Sequence, residues 1–201
     1  PSEPPSLLED TFDPEDIVHS RSIEWVPLPK TAAYVYNRLR KSFPKDVRNR
    51  LCAKCPRPTF EGKVAVTPDI DPKLSTFLGK FVKDPKKGID LSWRACQDKL
   101  LDISGPLAKI LNIAFDALNN GSSIDPKVLA AWAQWAVCLL GNANCAIAAE
   151  RRRSILLQID PKLYELATSE AGPSADGLLF GDPFVKEVAW FVNSLRLGTR
   201  H

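Results

Sequence analysis

Cys52 and Cys55 are the only pair in the 201-residue chain with the spacing of a metal-ligand or redox motif. A zinc site needs two further nitrogen or sulfur ligands at matching spacing. The remaining thiols, Cys96, Cys138 and Cys145, are scattered, and the two histidines, His19 and His201, lie far away in sequence. A redox pair would follow a strand and open a helix, whereas Pro56 and Pro58 follow this one. Two thiols in a loop are therefore expected, with no metal. Nucleophilic chemistry is poorly supplied as well. His19 sits among acids and His201 is the last residue, so neither suggests a Cys–His pair. No Gly-x-Ser-x-Gly elbow or dinucleotide fingerprint occurs, and Gly79-Lys80 lacks the other glycines of a phosphate loop. Asp69-Ile70-Asp71 could hold a hard cation, but Asp71 is better used as a helix cap. These residues predict a protein that is not an enzyme and carries no cofactor.

The densest chemical signal is positive charge. Residues 25–63 hold ten bases against two acids, a net of +8, after an N-terminal stretch (1–24) of seven acids and one base. The remainder is near neutral, so the overall +3 conceals a strong charge asymmetry. Arg38, Arg40, Lys41, Lys45, Arg48, Arg50, Lys54 and Arg57 place a charge every few residues. Such a run can neutralise several phosphates and bind RNA or another polyanion without sequence preference. Tyr34, Tyr36 and Phe43 could stack on bases. The competing reading is a solvated helix flank. Glu150-Arg151-Arg152-Arg153 is a second basic knot, but consecutive helical positions point in different directions. One of its arginines is expected to bury its stem and pair with an acid.

The elements that position these residues read as helices. Asp-Pro pairs at Asp13-Pro14, Asp71-Pro72, Asp125-Pro126, Asp160-Pro161 and Asp182-Pro183 precede apolar periodic runs. Asp accepts bonds from free helix-start amides, and Pro in the first turn forfeits none. Thr31 predicts a further helix to about Lys41. Another, from Asp90, is expected to break at Gly105-Pro106 and end at Asn119-Asn120-Gly121. The longest runs from Pro126 to about Ile159, with Gly141-Asn142-Ala143-Asn144 marking a close crossing or a break. Its segment 130–140 is apolar nearly all round, which requires burial on most sides. Trp132, Trp135 and Leu139 are therefore expected in the core or in a self-association interface. No segment alternates strictly, so the expected class is all-α: a helical bundle with a small N-terminal helical segment and a Pro-rich linker. The expected organisation is an acidic tail and small helix over 1–42, a basic linker over 43–70, and the bundle over 71–201.

Five cysteines without framework spacing suggest a reducing, intracellular compartment. No run of about 18 apolar residues suggests a membrane span, and no secretory signal opens the chain. The absence of methionine suggests a segment of a longer protein.

One ordered series of segments then stands out: Asp98-Lys99-Leu100-Leu101-Asp102-Ile103-Ser104-Gly105-Pro106-Leu107, Leu139-Leu140-Gly141-Asn142-Ala143-Asn144, Glu150-Arg151-Arg152-Arg153, Ile159-Asp160-Pro161-Lys162-Leu163 and Leu179-Phe180-Gly181. This series resembles the Gag-like protein of tyrosine-recombinase retrotransposons, the DIRS and Ngaro kind. More distantly it is similar to the C-terminal domain of thymopoietin alpha, the lamina-associated polypeptide. The likeness spans roughly residues 55–185, each motif being short and the order carrying the weight. It implies a helical, self-associating, capsid-type structural protein without catalytic residues, cytoplasmic in a particle or nuclear. The alternative it implies is a domesticated nuclear scaffold or chromatin-associated adaptor, a discrete dimer that binds protein partners. The basic N-terminal stretch lies largely outside the likeness.

Overall fold

Asp125 and Pro126 start the element on which most of the others rest. The computed structural model describes residues 26–39, 41–69, 76, 89–168, 179–180, 185–186 and 190. In chain order its helices are α1 (Pro29–Leu39), α2 (Lys45–Lys54), α3 (Ile89–Leu101), α4 (Ser104–Asn120) and α5 (Pro126–Ile159). Short 3₁₀ segments cover Glu61–Lys63 and Pro161–Thr168. No strand occurs among the described residues, and the fold class is all-α. The long helix α5 packs against α1, α3, α4 and the C-terminal 3₁₀ segment.

The caps explain the boundaries. Asp125 is extended (φ −73°, ψ 113°), and its carboxylate accepts from the Lys127 amide at 2.8 Å, with Pro126 in the first turn. Asp160 does the same for the Lys162 amide at 2.8 Å, but the turn it starts is 3₁₀ rather than α. Gly121 ends α4 in the left-handed region (φ 62°, ψ 21°), which costs glycine little. The break before α4 falls at Asp102–Ile103, three residues earlier than Gly105-Pro106. Pro106 stands in the first turn of α4, where its missing N–H forfeits no bond. The helix starts expected at Asp13, Asp71 and Asp182 lie outside the described residues.

Two apolar clusters anchor the packing. Ile103, Ala136 and Leu139 form one, joined by Leu51, Cys52 and Trp135. Leu156, Leu163 and Ala167 form the other, with Leu166 and Phe180 against them. Buried Arg152 ties this second cluster together, its Nε donating to the Ala167 carbonyl at 2.8 Å. Its neighbour Arg153 pairs with Glu150 one turn back. The burial and the ion pair expected of one arginine are thus divided between two.

Gly141-Asn142-Ala143-Asn144 is a close crossing, not a break. A Cβ built on Gly141 would lie 2.0 Å from the Arg38 carbonyl oxygen and 3.1 Å from the Leu39 Cα. The backbone of α1 therefore rests directly on α5. Asn144 donates to the Leu39 carbonyl at 2.9 Å, one of the acceptors left open at the end of α1, and Asn142 Oδ1 accepts the Phe43 amide at 3.1 Å. Gly141, Asn142 and Ala143 are all buried.

The Pro-rich segment 43–70 is not the plain linker that its composition suggested. It holds the ten-residue helix α2, which starts after Pro44. Leu51 and Cys52 of α2 pack into the core. The chain beyond, through Arg57 and Thr67, is bonded to α3. Gly105 lets the two parts meet: a Cβ there would stand 2.9 Å from the Pro56 carbonyl oxygen and 3.0 Å from that of Cys55. The physical reason is charge. Arginines that look solvated in sequence find aspartates on α3 and in the turn after it.

Candidate functional site

The eight basic residues do not form one free surface. Arg48 and Arg57 converge on Asp98 and Asp102, two carboxylates one turn apart on α3 and in the turn after it. Arg48 reaches Asp102 Oδ2 through Nε at 2.7 Å and Asp98 Oδ2 through Nη2 at 2.9 Å. Arg57 reaches Asp102 Oδ1 through Nε at 2.9 Å and Asp98 Oδ1 through Nη2 at 2.7 Å. It also donates to the Asp98 carbonyl. Thr67 Oγ1 adds a bond to Asp98 at 3.0 Å. The Asp102 side chain is 4% exposed, and such a buried carboxylate is tolerated only because it is fully paired. Arg50 pairs with Asp46 on its own helix, both well exposed, and Arg38 lies 5.6 Å from the Tyr34 ring. Lys41, Lys45 and Lys54 are exposed. Arg40 lies outside the described residues. The basic run therefore divides into a structural part and a thinner surface part. The partners Asp98 and Asp102 were missed, though acids four apart on a helix facing a basic segment are a readable signal.

Electrostatics agree with this division. Burial alone would raise the Asp98 pKa, but the bonds from Arg57, Arg48 and Thr67 outweigh it and hold it at about 2. Cys52 is pushed up to about 11, by burial first and then by the Asp102 carboxylate, to which it is also hydrogen-bonded. Burial raises Cys55 and Cys96 too. Thiols shifted this way are poor nucleophiles near neutral pH. Iodoacetamide at pH 7.5 is expected to modify Cys52 in the folded chain far more slowly than after denaturation, as followed by mass spectrometry. Equal rates would contradict the placement of Cys52 against Asp102. Among the described residues no group of three or more His, Cys, Asp or Glu is placed to hold a metal ion. No helix among them is long and apolar enough to cross a membrane.

The residues expected at a self-association interface separate. Leu139 is 1% exposed within a single chain and belongs to its core, so it is not available as a contact surface. It packs on Ile103 and Ala136. Trp135 is partly buried against the same cluster, and Trp132 stacks on it with ring centroids 5.4 Å apart. The Trp135 indole N–H is buried without a hydrogen-bond partner. Tyr34 of α1 covers the neighbouring turn, its hydroxyl 3.3 Å from Cys138 Sγ.

The larger open apolar face belongs instead to α4. Leu107, Leu111, Phe115 and Leu118 are 48%, 54%, 50% and 58% exposed. At about 100° per residue their spacing of four, four and three places them on one stripe. In sequence Leu107, Ile110, Ala114 and Leu118 step by three and four along one helix face, and Leu111 and Phe115 widen it. The excess width is the signal: an apolar arc too broad for one packing partner. No protein-family model, no curated protein and no solved structure matches this chain.

Proposed function

We propose that this is a non-enzymatic, self-associating structural protein of the Gag-like, capsid type, built as a helical bundle whose copies meet through an apolar helix face. The observation that carries the reading is the exposed stripe of α4, four large apolar side chains in a row. Monomeric proteins rarely leave a contiguous apolar patch of more than a few hundred Å². The resemblance of the ordered segments to the Gag-like family supports the capsid type, and the commitment of Arg48, Arg57, Asp98 and Asp102 to structure supports a scaffold rather than a catalyst. Electron microscopy of the purified chain tests it: shells, sheets or extended lattices are expected, and isolated small particles at every concentration would overturn the capsid reading.

RNA binding belongs to the same proposal, through the exposed part of the basic run. Replacing Arg38, Lys41, Lys45 and Lys54 together by Glu is expected to abolish salt-dependent binding to single-stranded RNA in filter binding, with helicity retained. Unchanged affinity would remove RNA from the account. One observation favours the alternative of a nuclear adaptor, a discrete dimer that binds protein partners. Three of the eight basic residues are already neutralised by acids of the same chain, leaving a thinner electrostatic surface than the sequence promised.

A further inference from the structure

Two serines directly follow a run of bases: Ser42 in Arg40-Lys41-Ser42-Phe43-Pro44-Lys45 and Ser154 in Arg151-Arg152-Arg153-Ser154. Basophilic protein kinases select acceptors by such charge patterns. By sequence alone Ser154 is the stronger match, and the structure reverses the ranking. Ser154 lies inside α5, and its hydroxyl donates to the Glu150 carbonyl at 3.0 Å. Two of the three arginines before it are committed within the chain. Arg152 is buried and donates to the Ala167 carbonyl, and Arg153 pairs with Glu150. Presenting Ser154 to a kinase would require α5 to unwind in its interior.

Ser42 is placed the other way. It is exposed in the non-helical joint 41–44 that connects α1 to α2. Lys41 before it and Lys45 three residues after it are exposed as well, and Phe43 supplies an apolar residue next to it. The Lys41 amide donates to the Arg38 carbonyl at 3.2 Å and the Phe43 amide to Asn142 Oδ1 at 3.1 Å. Releasing these is a local change that leaves both helices intact. We propose that Ser42 is a phosphoryl acceptor for a basophilic serine/threonine kinase, and that its phosphate turns off polyanion binding by the basic surface. The second half rests on the RNA reading above. In the transfer the Ser42 hydroxyl oxygen bonds to the γ-phosphorus of ATP while the bond from that phosphorus to the β–γ bridging oxygen breaks. ADP leaves, and the hydroxyl proton passes to the catalytic aspartate of the kinase. The phosphoserine carries about −1.5 to −2 charges at pH 7. It stands between Lys41 and Lys45, two residues before Pro44, where α2 begins without a side-chain cap. The two lysines and the first amides of α2 then face a covalent phosphate in place of one from RNA.

Phosphate mapping by mass spectrometry tests the acceptor. The folded full chain is incubated with magnesium ATP and the catalytic fragment of protein kinase C, a basophilic enzyme. Phosphate is expected on Ser42, with Ser154 modified only after the chain is denatured, and Ser42→Ala should remove the folded-state signal. No phosphate on Ser42, or modification of Ser154 as fast as Ser42 in the folded chain, would overturn the assignment. Filter binding to single-stranded RNA tests the control. At about 0.1 M salt the phosphorylated chain is expected to bind at least about 10-fold more weakly than the unmodified one, since about two phosphate contacts are lost. Ser42→Ala treated with kinase and ATP should bind as the unmodified chain does. Phosphorylation of Ser42 with unchanged RNA affinity would overturn the control while the RNA reading stands. An unmodified chain that binds no RNA would overturn that reading and the control together, and the acceptor assignment then stands or falls on the mapping.

Discussion

Replacing Gly141 by alanine is expected to destabilise the protein by about 1–3 kcal/mol, the usual cost of forcing extra volume into a packed contact. The sign is the informative part. In the middle of an ordinary helix, Gly to Ala stabilises by about 1 kcal/mol, because glycine loses more backbone freedom on folding. At position 141 the added Cβ would stand 2.0 Å from the Arg38 carbonyl oxygen and 2.8 Å from its carbon. These are backbone atoms, which cannot rotate aside as a side chain can. Helix α1 must move off α5, and with it go the bonds from Asn144 to the Leu39 carbonyl and from the Phe43 amide to Asn142. Urea unfolding gives the stability, and hydrogen exchange should show α1 amides losing protection first. A variant as stable as the wild type would mean that α1 does not cross α5 at Gly141.

Removing Asp102 has the second large effect. Asp102→Ala leaves Arg48 and Arg57 facing each other with only the partly exposed Asp98 between them. Breaking a buried ion pair by deleting one partner costs about 3–5 kcal/mol. The two arginine side chains retain 20% and 23% exposure, so the loss belongs at the lower end, about 3 kcal/mol. Asp46→Ala is the internal comparison, because the Arg50–Asp46 pair has 71% and 68% exposure and pairs of that kind contribute about 1 kcal/mol or less. Thermal or urea unfolding of the two variants side by side reads the difference. Equal small losses would show that the cluster on α3 does not hold the N-terminal segment. Acid should act on the same cluster. Asp98 titrates below its ordinary value near 3.8, at about 2, so the native state binds fewer protons than the unfolded state between those values. Its contribution is complete above the ordinary carboxylate range and is lost as the pH falls from about 4 to about 2.

Local signals in the sequence carried the caps and the helix class. Asp125-Pro126 acts through a bond to the Lys127 amide and Gly121 through its left-handed backbone, so both read correctly without any tertiary knowledge. The glycine of Gly141-Asn142 was legible as a crossing or a break, and only packing chose between them. The segment 43–70 misled because prolines and positive charge describe a solvated chain when seen alone. What makes it structured is the approach of Asp98 and Asp102, some fifty residues from Arg48. Leu139 and the α4 stripe show the same limit from the other side. Apolar periodicity marks a face as needing cover, but whether another helix of the same chain already covers it depends on the third dimension.

Light scattering across a concentration series tests the central claim most directly. A self-associating protein should show a weight-average mass that rises from near the 22.3 kDa of one chain toward multiples of it as concentration increases. A constant mass of one chain, up to concentrations of several hundred micromolar, would contradict the account.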